Sequence, residues 1–279
     1  MSYVTAQSWT AFWKRGKGAA CLPDSVDAHE RLAQVWRTTS SDLPQMARVI
    51  DLACGSGAVS YMLRQARPDL SIVGVDYARV PPSLMAGVEL ISSVALEQLP
   101  FDDRCFDCAV SQFGIEYADQ PGAVRELLRV LRPGSPITLV MHHADSPVVL
   151  HNKLRERALG ELTGAAVESA FLQGDRAAFN RTFASLQSAF ADQDVVAEFA
   201  QGLGSALAQP AEDRATFWRG LAAMVSRERE ILSALASAAV ADCQPWLTEL
   251  SASFTMDPPT VVREANGLPL AWLLRGRRT

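Results

Sequence analysis

The sequence has no excess of basic residues: 26 lysines and arginines stand against 31 aspartates and glutamates, a net charge of −5. No Lys/Arg-rich stripe interleaved with aromatics runs through it either. These two absences argue against nucleic acid as a partner, because that polyanion is held by clustered cations. Long apolar runs are also missing. The segment from Ile137 to Met141 is only strand-length and stops at His142-His143, far short of the roughly 20 residues that a membrane span needs. Cysteines are few, five at irregular spacing, and no charged and apolar leader opens the chain, which points to a reducing cytoplasm. Cys105 and Cys108 form a C-x-x-C with no second pair or histidine at ligand spacing, so no metal site is expected. Repeats and low-complexity stretches are absent.

What is present can build a core: 48% of the 279 residues are apolar and 20% charged, ordinary for a globular protein. Tyr3, Trp9, Phe12, Trp13 and Trp36 lie in opening segments of helical spacing. Arg48–Ala53 then reads as a strand, Ala58–Ala66 as a helix, and Ser71–Val75 as a second strand ending at Asp76. Pro81-Pro82 cuts short the helix that should follow. Val88–Ser92, Phe106–Ser111 and Pro136–Met141 read as further strands, with a helix over Ala123–Leu131 closed by Pro133-Gly134. Strands alternating with helices predict a parallel sheet in an α/β fold. From about Ser146 to Ser251 the apolar spacing is helical throughout, and Asn266-Gly267 marks a two-residue hairpin turn. The expected domains are thus residues 1–145 (N-terminal helices and a cofactor-binding core), 146–255 (a helical insertion acting as lid, substrate region or dimer surface), and 256–279 (a β-hairpin completing the sheet). Within the insertion, Arg155-Glu156-Arg157 and Arg227-Glu228-Arg229-Glu230 predict solvated faces with i, i+4 pairing, and Gly202, Gly204 and Pro210 predict helix breaks.

Gly55 and Gly57 fall directly between a strand and a helix, where missing side chains let backbone turn sharply and approach a ligand. Ser60 stands where a dinucleotide fingerprint would place a third glycine, and no Lys-Ser/Thr pair follows for an ATP-type phosphate loop. Asp76, 19 residues after Gly57, sits where a carboxylate accepts hydrogen bonds from ribose hydroxyls. The pattern suits an adenosine ligand without phosphates.

Val49-Ile50-Asp51-Leu52-Ala53-Cys54-Gly55-Ser56-Gly57 resembles the first motif of class I S-adenosylmethionine-dependent methyltransferases. Leu99-Pro100-Phe101-Asp102-Asp103 with Phe106-Asp107, Ser111-Gln112-Phe113-Gly114, and Leu127-Leu128-Arg129-Val130-Leu131-Arg132-Pro133-Gly134 resemble later motifs of the small-molecule, quinone-biosynthesis-like branch. The resemblance covers residues 45–145. It implies a Rossmann-like, seven-stranded, mostly parallel sheet with a terminal antiparallel hairpin strand. It also implies S-adenosylmethionine as methyl donor and S-adenosylhomocysteine as product. Asp51 would then lie near the methionine amino group, with Ala53, Cys54, Gly55 and Gly57 lining the cofactor. Asp76 would hold the ribose and Tyr77 flank the adenine. Ala95, Leu96 and Glu97 would frame the adenine edge, with Ala95 where the family often has aspartate. Ser111, Gln112 and Phe113 would stand beside the methionine portion.

In-line methyl transfer from a sulfonium needs positioning more than covalent help. His142 and His143 follow the fifth strand and are candidates for a base that removes an acceptor proton; capping the strand end is the plainer role for both. Trp9, Trp13 and Tyr117 are candidates for an aromatic cover over the acceptor, or for ordinary packing. The expected activity is methyl transfer to O, N or C of a small molecule, by a chain that pairs with a second copy through the insertion. A non-catalytic S-adenosylmethionine-binding protein and a nicotinamide oxidoreductase remain as alternatives.

Overall fold

Val49, Ile50, Asp51 and Leu52 are all buried because the strand they form has neighbours on both edges and helices on both faces. In the computed structural model, which describes residues 6–15, 25–80 and 85–279, this strand is β1 (Arg48–Leu52). Tyr3 and the Pro81-Pro82 break lie outside the described residues. Helices α1 (Ala6–Arg15) and α2 (Val26–Ser41) precede β1; Ser25 caps α2 by accepting from the Ala28 amide at 3.3 Å. After β1 come α3 (Ala58–Ala66), β2 (Ser71–Asp76), β3 (Val88–Ser92), β4 (Cys108–Gln112), a short 3-10 turn Ile115–Tyr117, α4 (Gln120–Val130) and β5 (Pro136–His142).

Strand order is β3-β2-β1-β4-β5-β8-β6, parallel through β5. The long closing strand β8 (Pro269–Arg278) runs antiparallel to β5. Its far edge is shared by β6 (Phe254–Met256) and β7 (Thr260–Arg263), so the sheet has eight strands, the last place being split between two short ones. The order reverses between β1 and β4, which puts a ligand crevice at the carboxyl ends of those strands. One face packs Leu32, Trp36, Val59 and Leu63 from α2 and α3. The other packs Leu127 and Val130 of α4 with Trp246 and Leu250 of a late helix, numbered α10 below.

The sequence places the fourth strand two residues early. Phe106 instead bridges Leu131, and Asp107 turns its carboxylate back to accept from the Arg48 amide at 2.8 Å. The hairpin turn also differs. Gly267 N–H donates to Glu264 at 2.9 Å with Gly267 at φ +84°, so Ala265 and Asn266 are the central pair and the glycine takes the left-handed position after them.

The chain divides into two compact units, one of residues 1–149 and 238–279, the other Leu150–Ser237. The second consists of helices: most of α5 (Pro147–Leu162), α6 (Ala165–Gln173), α7 (Arg176–Ala189), α8 (Asp194–Ala206) and α9 (Ala211–Ala238). Its core gathers Phe171 against Trp218, and Phe179 against Phe183, while Phe217 meets Phe171 from the exposed side. Two sequence expectations are corrected here. Glu228 and Arg229 pair across to Arg155 and Glu156, both at 2.8 Å, rather than along their own helix. Gly202 and Gly204 remain inside α8, where buried Leu203 between them outweighs the weak propensity of glycine. The last helix, α10 (Gln244–Ser251), belongs to the first unit.

Candidate functional site

At the carboxyl end of β1 the backbone enters the left-handed region three times in five residues: Ala53 at φ +52°, Gly55 at +53° and Gly57 at +84°. Gly57 caps α3, and the Cys54 amide donates to the Val75 carbonyl at 3.0 Å, tying the loop to β2. The crowding is mutual. A Cβ on Gly114 would stand 2.4 Å from the Ala53 methyl, so the chain after β4 passes directly against this loop.

Two buried carboxylates flank the loop. Asp76 ends β2 and accepts from Gly55 N–H and Ala78 N–H, both at 2.7 Å. Its carboxyl is pushed upward, chiefly by burial and against those two bonds. Asp51 lies within β1 and accepts from the amide (3.1 Å) and hydroxyl (2.7 Å) of Ser60 in the first turn of α3. Burial dominates at Asp51, raising its pKa from 3.8 to about 7 although both Ser60 bonds pull it down, with Asp76 adding to the rise. A carboxylate so placed is half protonated at neutral pH and gains from a cationic group at the loop.

Around β4 the chain forms the opposite wall. The Ser111 hydroxyl donates to the Leu52 carbonyl (2.9 Å) and accepts from the Ile115 amide (3.2 Å), binding wall to loop. Gln112 is fixed by Trp36, whose indole N–H donates to Oε1 at 2.6 Å. Phe113, left-handed at φ +57°, stacks on His142 with centroids 4.0 Å apart. Glu116 accepts from both the backbone amide (3.0 Å) and ring Nδ1 (2.8 Å) of His142. Behind it, Arg129 holds the segment around Leu99 and Phe101 by donating to both carbonyls and to Glu126 and Asp103.

Helix α1 crosses the loop. A Cβ on Gly55 would lie 2.4 Å from the Trp13 ring, Thr10 accepts from the Arg79 amide at 2.9 Å, and Trp9 meets Tyr117 edge-on at 5.1 Å. Leu96 is buried and Ala95 and Glu97 half-buried beyond β3, where Glu97 accepts from the Asp119 amide at 2.6 Å. Tyr77 is half exposed beside Asp76.

The structure thus gathers Ala53, Cys54, Gly55 and Gly57 into one loop flanked by Asp51 and Asp76, with Ser111, Gln112, Phe113 and His142 on the adjoining wall. His143 is not among them. Its ring stacks on Trp272 at 5.1 Å and its Nδ1 accepts from the Asp145 amide, while burial lowers its pKa. Cys54 lies against Gly74, which has no room for a side chain there, and burial pushes its thiol well up, so it contributes backbone rather than a thiolate. Cys108 is buried in β4, its thiol raised to about 12, and Cys105 precedes the strand; both carry free thiols. Three site residues escaped sequence reasoning. Ser60 was legible only as a missing glycine, Trp36 only as a core aromatic, and Glu116 gave no signal beyond being acidic among apolar neighbours near a strand end.

Comparison with known proteins places residues 50–139 in the family described as "Methyltransferase domain". The demethylmenaquinone methyltransferase of Thermus thermophilus is 34% identical over 118 residues, 38% of this chain and 53% of that protein. The demethylmenaquinone methyltransferase of Clavibacter sepedonicus is 29% identical over 212 residues, 69% of this chain and 84% of its own length. The chain therefore spans about half the length of the first of these relatives. Among solved structures, the N-methyltransferase NodS of Bradyrhizobium japonicum WM9 in complex with S-adenosyl-L-homocysteine overlaps 97% of this chain and 98% of its own, at 12% identity and a TM-score of 0.49.

Proposed function

We propose that the protein, whose residues 50–139 match the family described as "Methyltransferase domain", is a class I S-adenosylmethionine-dependent methyltransferase of the quinone-biosynthesis-like branch that methylates a small-molecule acceptor. The observation that carries the proposal is the pairing of Asp51 and Asp76 about one left-handed loop. A buried carboxylate with a pKa near 7 suits an ammonium group. The second, although it accepts two amides, keeps a further lone pair on each oxygen for hydroxyl donors. An amino acid joined to a ribose carries both groups, so these residues fit S-adenosylmethionine.

In this reading Asp51 holds the methionine ammonium, and the backbone of Ala53, Cys54, Gly55 and Gly57 lines the ligand. Asp76 takes the ribose and Tyr77 flanks the adenine. Ala95, Leu96 and Glu97 frame the adenine edge, and Ser111, Gln112 and Phe113 face the methionine end. When bound, the cofactor supplies an electrophilic methyl group on sulfur, with a neutral thioether as leaving group. The protein's own contribution is to orient both partners and exclude water, a task this reading gives to Trp9, Trp13 and Tyr117, which pack against each other and the loop. The relatives' names make a reduced quinone the first acceptor to test. We assign the protein to the cytoplasm, where its four described cysteines stay as thiols, and give the helical insertion of residues 146–255 the role of lid, substrate region or dimer surface. Among the described residues no helix is long and apolar enough to cross a membrane.

Calorimetric titration with S-adenosylhomocysteine and with NAD tests the ligand: saturable binding of the thioether alone is expected, and binding of NAD alone overturns the reading. Release of S-adenosylhomocysteine in the presence of a prenylated 1,4-naphthoquinol lacking the ring methyl tests the reaction.

A further inference from the structure

Gln112 ends β4 on the face that α2 and α3 cover, since Val110, two residues before it, packs in the core of Leu32, Trp36, Val59 and Leu63. Its Oε1 accepts the indole N–H of Trp36 at 2.6 Å. An indole nitrogen can only donate, so the carboxamide has one orientation, with oxygen toward Trp36 and the NH2 group away from it. Turning the amide would leave that N–H, on a side chain only 1% exposed, without a partner.

The outward end is different. Nε2 of Gln112 has no hydrogen-bond partner among the described residues, and the side chain is only half-buried, so the amide keeps its donors for a ligand. Its position in the sheet says which part of the crevice it serves. Asp51 pairs in register with Val110 and meets Ser60 of α3 on the same face. Gln112 stands two residues beyond Val110, about 7 Å further toward the crevice at the carboxyl ends. With the ammonium group on Asp51, this donor lies past it, on the side from which an acceptor approaches the methyl group. The clamp itself comes from beyond the shared cofactor domain, because Trp36 belongs to α2 and the family match begins at residue 50.

We infer that Trp36 is a positioning residue and that the Gln112 NH2 group it holds in place donates to an oxygen of the methyl acceptor, an inference that rests on the methyltransferase reading above. The contact moves no proton. It selects acceptors that carry an oxygen at that place, and it fixes the acceptor's ring relative to the methyl group.

The test measures acceptor binding with S-adenosylhomocysteine at saturation, so that no turnover is needed. The ligands are the demethylated 1,4-naphthoquinol and its two monohydroxy analogues, each missing one ring oxygen. Gln112→Ala should weaken the quinol about fivefold or more and one analogue as much, while the analogue without the recognised oxygen stays within about twofold of wild type. Trp36→Phe, which keeps a ring but has no N–H, should weaken the same two ligands, and the double variant should show no further loss. Affinity for S-adenosylhomocysteine should stay within about twofold throughout. A packing defect has no reason to single out one ring oxygen. Equal losses on both analogues, or no loss on any ligand, overturn the inference. A larger loss for S-adenosylhomocysteine than for the quinol gives the donor to the cofactor's carboxylate and overturns it too. The clamp has a readout without Trp36→Phe: the hydrogen-bonded indole N–H proton resonance should move upfield in Gln112→Ala, and an unmoved spectrum overturns it. Wild type that binds the thioether but not the quinol overturns this inference and leaves the cofactor reading standing, whereas wild type that binds neither overturns both.

Discussion

Replacing Asp51 by asparagine should stabilise the ligand-free protein at pH 8 while weakening cofactor binding. The folded protein holds this carboxyl at about 7, against 3.8 for an ordinary aspartate, with burial as the main cause. Because the folded value is the higher one, ionising Asp51 weighs against the fold. The protein gives up stability as pH climbs from about 4 to about 7, and the loss is complete above that. At about 1.4 kcal/mol for each tenfold change in proton concentration, the full loss is about 4 kcal/mol, of which about 3 accrues between pH 5 and pH 8. The asparagine keeps an oxygen for Ser60 and carries no charge, so the variant escapes that loss. Thermal melts of both proteins at pH 5 and pH 8 should show a difference that widens in favour of the variant as pH rises. A pH-independent difference would refute the reasoning. S-adenosylhomocysteine reverses the sign: its ammonium group favours the ionised carboxylate, so binding expels a proton. Affinity of the wild type should fall by up to about tenfold per pH unit below pH 7 and level off above it, a slope absent in Asp51→Asn.

Asp76→Ala removes the acceptor for two loop amides and a proposed ribose partner, so binding of S-adenosylhomocysteine should weaken about tenfold or more with a stability loss of about 1–3 kcal/mol. Unchanged titration curves would take Asp76 out of the site. Ser60→Ala deletes the bond that most restrains the rise at Asp51, and the pH midpoint for cofactor binding should move upward from about 7; a midpoint that moves down or stays put contradicts the assignment. Gly55→Ala adds about 1–2 kcal/mol of left-handed strain and a collision with Trp13. Trp13→Ala in the same chain should recover the collision but not the strain, which melting curves of the double variant will show.

The glycine loop, β1 and Asp76 could be read from sequence because each is a local pattern: an apolar run, two glycines and a carboxylate at strand length. The helical character of residues 146–251 was legible for the same reason. What escaped was chosen by partners far away in the chain. Glu116 takes its place from His142, 26 residues on, and Gln112 from Trp36, 76 residues earlier. The Asn266-Gly267 pair prefers the centre of a turn, yet here Ala265 N–H is accepted by Asp27 at 2.7 Å and Gly267 takes the single left-handed position. Arg155 and Glu156 of α5 pair with Glu228 and Arg229 of α9, and no periodicity within one helix encodes that.

The indole of Trp13 lying over Gly55 ties together two segments more than 40 residues apart. Glycine at position 55 is held from two directions, by its own backbone and by a neighbour that leaves no room for a methyl group. Residues 13 and 55 are therefore constrained together. A relative that shortens residue 13 relaxes one of the two demands on position 55, and a core grafted without α1 carries a glycine whose second reason for being there has been left behind.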